Sequence, residues 1–174
     1  LAARAIIEPL TLPMCSPIGD GAAAVIIVSE RKARELGLQH KVKVAASALV
    51  SGWDFTDPSE SVGALAAHQV YAATGIGPQD LSCVELHDAS APSEIAAYEY
   101  LGLCGPGEGA KLIETRATYL GGRIPVNVSG GLLRKGHPVG ATGCAQIVEL
   151  TGQLRGQSGK RQIEGARIAL AHNG

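Results

Sequence analysis

The sequence predicts an α/β domain built on a mostly parallel sheet with helices on both faces. Three observations predict it. Short apolar runs alternate with segments of helical spacing, a pattern that needs right-handed crossovers and hence parallel strands. Hydrophobic residues make up 45% of the 174 positions but aromatics only 3%, with 23 glycines, which suits an interior of Ala, Val, Ile and Leu in closely packed layers rather than a sandwich. A chain of this length fits one domain that buries roughly 70% of its unfolded surface without disulfide staples.

Residues 1–19 carry three prolines and little periodicity and read as a connecting arm, leaving 20–174 as the domain proper. Asp20-Gly21 is a turn signal, and Ala22 to Val28 is an apolar run that reads as a buried strand. Glu30 to Leu36 is helical, with Gly37 as its stop. Val42 to Val50 reads as a second strand, followed by a loop from Ser51 to Pro58 that contains Trp53 and Phe55. Ser59 or Ser61 caps the next helix, in which Val62, Leu65, Ala66, Gln69, Val70 and Ala73 recur at helical spacing up to Gly75. Ser82 to Leu86 reads as a strand. Ser90 caps a helix with Pro92 and Glu94 in its first turn and an apolar stripe of Ala91, Ile95, Tyr98 and Leu101. Residues 102–127 form a long irregular excursion of the kind that serves a site or an interface. A helix over Thr142 to Leu154 with Cys144, Ile147, Val148, Thr151 and Leu154 inward, then a strand over Ala166 to Ala171, complete the pattern.

The bulk properties exclude several function classes. Fifteen basic against 16 acidic side chains give a formal charge of -1, and no basic run is interleaved with aromatics, so nucleic acid is not an expected partner. Cys15, Cys83, Cys104 and Cys144 are scattered without zinc or disulfide spacing, which predicts reduced thiols, no metal and a cytoplasmic location. No apolar run approaches the roughly 20 residues of a membrane span, and no signal-peptide layout is present. The chain begins at Leu1 and stops at Asn173-Gly174, which reads as a fragment.

The chemically richest stretch runs from Ser129 to Gly143. It puts His137 in a glycine-rich loop, with Gly131, Gly136, Gly140 and Gly143 around it and Pro138 fixing a backbone angle beside it, directly before a helix whose positive end faces the loop. Gly131 and Gly136 have the spacing of a phosphate loop, but Lys followed by Ser or Thr is missing and His137-Pro138 stands there instead, so that reading fails. A tight strand-to-helix connection with an incidental histidine remains as the bland alternative. Gly105-Pro106-Gly107-Glu108-Gly109 resembles a phosphate nest only superficially, because a proline interrupts its N–H donors.

Ligands in parallel sheets sit beyond the carboxyl ends of the strands. His87-Asp88 follows one strand, His172-Asn173 ends another, and His137 lies in a helix-entry loop, so the three imidazoles are expected at one edge. A neutral imidazole can donate to a developing oxyanion or take a proton from a nucleophile, and His137 suits either role. His87 reads equally as a site residue or as a strand-end histidine with Asp88 capping the next helix. His172 reads as an acid/base or as a passive strand end.

These residues resemble the C-terminal half of the thiolase superfamily over nearly the whole chain. Asp20-Gly21-Ala22-Ala23-Ala24 resembles its opening strand motif, Gly136-His137-Pro138-Val139-Gly140-Ala141-Thr142-Gly143 its histidine motif, and Leu86-His87-Asp88-Ala89 the His-Asp variant of sterol-carrier-protein-type thiolases and lipid-transfer relatives. The resemblance implies one half of a five-layered αβαβα unit that forms homodimers. It implies a coenzyme A thioester as substrate, in acyl transfer within lipid metabolism, and no covalently bound cofactor. It further implies that His137 activates a cysteine carried by the other half and helps bind a thioester oxygen, that His87 organises the oxyanion pocket, and that Gly174 and Gly140 contribute to oxyanion or substrate binding.

Two positions depart from the family pattern. Thiolases shuttle a proton with a cysteine either in a Cys-x-Gly motif, where His172-Asn173-Gly174 stands here, or after His-Asp, where Ala89 stands. The resemblance therefore implies thiolysis or Claisen condensation with His172 as the acid/base, or a retro-aldol lyase that works with a separate partner protein. A non-catalytic acyl-coenzyme A or lipid binder and a purely structural dimerisation half are the remaining readings. The isolated chain, without a nucleophile, is expected to be inactive.

Overall fold

A computed structural model describes residues 3–39, 42–52, 56 and 61–174. Its centre is a parallel pair, β3 (Cys83–Glu85) and β4 (Ala169–Ala171), in the register Cys83 to Ala169 and Glu85 to Ala171. Val126 adds a parallel bridge to Val84 on the other side. Alternation along β3 sends Val84 and Leu86 into a core shared with Ala67, Ala97, Tyr98, Leu101, Ile124 and Val126. That core joins the strands to α2 (Val62–Thr74) and α3 (Ala91–Tyr100), while α6 (Val139–Leu154) lies against both β3 and β4.

Local chemistry explains the helix limits. Ser29 caps α1 (Glu30–Glu35), and Gly37 follows it with φ +64. Ser61 caps α2 by accepting from the Ala64 N–H at 3.2 Å, and Gly75 ends it in the left-handed region. Ser90 caps α3, whose Pro92 sits in the first turn, where no N–H is needed. Ser59, Trp53 and Phe55 lie outside the described residues. Among those described, no helix is long and apolar enough to cross a membrane.

Several expectations are corrected. The arm contains a short antiparallel pair, β1 (Ala5–Ile7) with β2 (Leu10–Thr11). The runs 22–28 and 42–50 pair with no strand among the described residues, and Ile26 (94%) and Leu49 (98%) are exposed. A strand needs a neighbour about 4.8 Å away to satisfy its backbone groups, and among the described residues such pairings are β3 with β4 and Val126, β1 with β2, and the Cys15–Ser90 bridge. The excursion 102–127 contains α4 (Gly109–Glu114), and the glycine-rich loop contains the short α5 (Gly131–Lys135).

Helix faces also differ from the apolar spacing. α6 begins at Val139, and it buries Thr142, Gln146, Leu150 and Gln153 while Ile147 and Val148 stay largely exposed. α2 buries Gly63, Ala64 and Ala67, and Leu65 is exposed. Close approach decides this: a Cβ on Gly63 would lie 2.6 Å from the Tyr100 ring, so only the small-residue face of α2 fits there.

Candidate active site

The parallel register brings two histidines to one edge. Because Glu85 lies opposite Ala171, the chain leaves both strands side by side, and the His172 N–H donates to the Glu85 carbonyl at 2.9 Å. His87 follows two residues after β3. The Asn127 side-chain oxygen steers that exit by accepting from the Leu86 N–H at 2.8 Å, while the Asn127 backbone N–H donates to the Val84 carbonyl at 2.9 Å. Asn127 adopts φ +51, a conformation its short polar side chain tolerates better than most.

Two buried carboxylates hold the loop that carries His137. Glu85 accepts from the Ser129 hydroxyl at 2.5 Å and the Ser129 N–H at 3.1 Å, with the Lys135 ammonium 4.0 Å away. Asp88 accepts from the Leu132 N–H at 2.7 Å and the Leu133 N–H at 3.3 Å. Asp88 therefore binds the start of α5 rather than capping α3, a task Ser90 performs. Burial pushes both carboxyls above the usual carboxylate range, and the hydrogen bonds they accept oppose that shift.

The arm supports the far side of the same loop. The His137 N–H donates to the Pro17 carbonyl at 2.9 Å, and the Ser16 N–H donates to the Ala89 carbonyl at 2.9 Å. A Cβ on Gly21 would lie 2.8 Å from Pro138, so this contact requires glycine. So placed, His137 directs Nε2 to within 3.3 Å of His87 Nε2, and its Nδ1 lies 2.8 Å from the Thr142 hydroxyl. The two rings meet edge to face, with centroids 4.8 Å apart.

His172 completes the cluster through Gly174. A Cβ on Gly174 would stand 3.9 Å from His172 Nε2 and 3.9 Å from His87 Nδ1, so the two rings flank that glycine. Tyr100 packs edge-on against His172 at 5.4 Å, and the Gln146 amide donates to the His172 carbonyl at 3.0 Å. Burial, with a smaller push from His87, lowers the His172 pKa to about 4, so this imidazole is neutral at neutral pH. Its Nδ1 is buried with no partner among the described residues. Burial and then His137 lower the pKa of His87 as well.

The structure thus gathers His87, His137, His172 and Gly174. Gly140 does not join them: it lies exposed in the first turn of α6, with nothing among the described residues within 4 Å of a Cβ placed there. Among the described residues no group of acidic, His and Cys side chains is arranged to hold a metal ion. Burial, first, and the nearby Glu85 and Glu149 push the Cys83 thiol up to about 12, which leaves it unsuited to nucleophilic work. Sequence reasoning missed Glu85, Asn127, Thr142 and Gln146. Only Thr142 carried a signal, since it stands at the head of the helix that follows His137.

A pair of imidazoles at hydrogen-bonding distance, with a third neutral one beside them, can polarise a carbonyl oxygen and move a proton at an adjacent carbon. Residues 42–174 match the family model described as "Thiolase C-terminal domain-like", and the chain belongs to this thiolase family. It is 42% identical to sterol carrier protein 2 of Rattus norvegicus across 99% of its own length and 33% of that protein's. It is 41% identical to the benzoylsuccinyl-CoA thiolase subunit BbsB of Thauera aromatica across 97% of its length and 45% of the subunit's. Among solved structures, an Ltp2-ChsH2(DUF35) aldolase superposes with a TM-score of 0.80 at 28% identity, covering 97% of this chain and 45% of that one. The chain therefore spans between a third and a half of the length of these relatives.

Proposed function

We propose that this domain supplies the histidine cluster of an enzyme that makes or breaks a carbon–carbon bond beside the carbonyl of an acyl-coenzyme A thioester. One observation carries the reading: His87 and His137 present their Nε2 atoms to each other at 3.3 Å at the carboxyl edge of the parallel pair, with His172 across Gly174. A thioester oxygen docked there meets the His87 ring as its charge grows, and His172, neutral at neutral pH, stands beside it. The relatives support the substrate class, since one bears the name of a coenzyme A thiolase subunit.

Within that class, thiolysis or Claisen condensation uses His137 with a nucleophilic cysteine from a portion of the protein outside these 174 residues. Retro-aldol cleavage is a second reading, favoured by Ala89 and His172 at the two positions where thiolases place a proton-shuttling cysteine. In that reaction His172 takes the hydroxyl proton of a β-hydroxyacyl thioester and the Cα–Cβ bond breaks. Its electron pair passes to the thioester oxygen, held by the His87 N–H, and the enolate then takes up a proton. A homodimer and a separate partner protein belong to the same proposal. The partner is suggested by the subunit naming of one relative and the two-component name of the aldolase.

The test uses the full-length protein, alone and with its His137→Ala variant, on a 3-ketoacyl and a β-hydroxyacyl coenzyme A thioester. Cleavage of either by the wild type, lost in the variant, supports the proposal and selects the reaction. Cleavage unaffected by the variant, or tight binding of both thioesters without cleavage, overturns it.

A further inference from the structure

Thr142 is buried, with 5% of its surface exposed, and its hydroxyl meets two protein atoms: His137 Nδ1 at 2.8 Å and the Pro138 carbonyl oxygen at 3.2 Å. A hydroxyl has one proton to give and lone pairs to receive with, whereas a carbonyl oxygen only accepts. The contact with Pro138 is a hydrogen bond only if Thr142 donates to it. Its oxygen must then receive at His137, which requires the proton of the His137 ring to sit on Nδ1. The reverse arrangement leaves two acceptor oxygens facing each other at 3.2 Å.

The other edge of the ring agrees with this polarity. His137 Nε2 faces His87 Nε2 at 3.3 Å, a line that two neutral imidazoles share only if one of them carries hydrogen there. With the His137 proton on Nδ1, His87 supplies the donor. Proton positions then run in one direction, from His87 through His137 and Thr142 to Pro138. The ring nitrogen that is protonated is set by the bond the other nitrogen makes.

We infer that Thr142 is a positioning residue that holds His137 in its Nδ1–H tautomer, which makes His137 Nε2 a proton acceptor and His87 Nε2–H the hydrogen-bond donor of the pair. This rests on the site reading given above and deepens it: donation to a carbonyl oxygen and acceptance of a proton are divided between two histidines. Thr142 acts through His137 and touches no substrate.

The direct test is long-range 1H–15N correlation spectroscopy of histidine side chains in the full-length protein, with the His137 signals identified by their loss in His137→Gln. The expected spectrum shows hydrogen on Nδ1 of His137 in the wild type and in Thr142→Ser. In Thr142→Val the proton moves to Nε2, because an Nδ1–H against a methyl group has no acceptor. Turnover should fall about 10-fold or more in Thr142→Val with KM little changed, and serine should restore it. An Nε2–H wild type, or an unchanged tautomer in a folded Thr142→Val, overturns the inference. If Thr142→Val does not fold, the wild-type and serine spectra still decide. An Nδ1–H tautomer in a protein whose His137→Ala variant retains full activity refutes the functional reading and leaves the Thr142 assignment standing.

Discussion

The Asp88 carboxylate occupies the space that a side chain on Gly131 would fill: a Cβ built there would collide with both carboxylate oxygens. The two residues are coupled further because Asp88 accepts from the N–H groups of Leu132 and Leu133, just past that glycine. Gly131 also adopts φ +59, which side chains resist. Gly131→Ala should therefore lower unfolding free energy by at least about 1–3 kcal/mol, measured by denaturant unfolding. Gly140→Ala is the contrast, since nothing among the described residues lies within 4 Å of a Cβ built there. Removing a glycine from a helix should leave stability unchanged or raise it by about 0.5–1 kcal/mol.

Removing the carboxylate itself should hurt for a different reason. Asp88→Ala leaves the buried Leu132 N–H and the half-buried Leu133 N–H unpaired, and a buried unsatisfied group costs about 1–3 kcal/mol. A double-mutant cycle with Gly131→Ala should show non-additivity, because the alanine methyl collides with the carboxylate that the first change removes.

His172 predicts a pH signature. Its folded pKa of about 4 lies below the ordinary 6.5, so between those values the unfolded chain binds more protons than the folded one. Stability from this group is therefore complete above about pH 6.5 and is lost as pH falls toward 4. Glu85, Asp88 and Glu94 have raised pKa values and act in the opposite sense, so the total curve mixes both. The difference between wild type and His172→Phe isolates the histidine, and that variant should lack the added steepness between pH 6.5 and 4. Equal slopes would show that His172 titrates normally.

Much of the scaffold was legible because it is local. Ser61, Ser90, Gly37 and Gly75 mark helix limits through contacts within a few residues, and strand-end reasoning placed His87 and His172 at one edge. The buried faces of α2 and α6 were not legible, because Gly63 and Gln146 turn inward to meet Tyr100 and the His172 carbonyl, distant in sequence. The supports of the His137 loop were hidden for the same reason: Asp88 reaches its partner across 44 positions. The runs 22–28 and 42–50 carry strand composition, but composition does not name a pairing partner.

If the histidine cluster performs acid–base chemistry on a thioester, His172→Ala in the full-length protein separates that chemistry from binding. Turnover of the cleaved thioester and the affinity for a non-reactive thioester analogue are measured side by side. A base acting mainly in the transition state predicts a fall in turnover of about 100-fold or more with binding nearly intact. Wild-type turnover in the variant, or a loss confined to binding, would contradict the account.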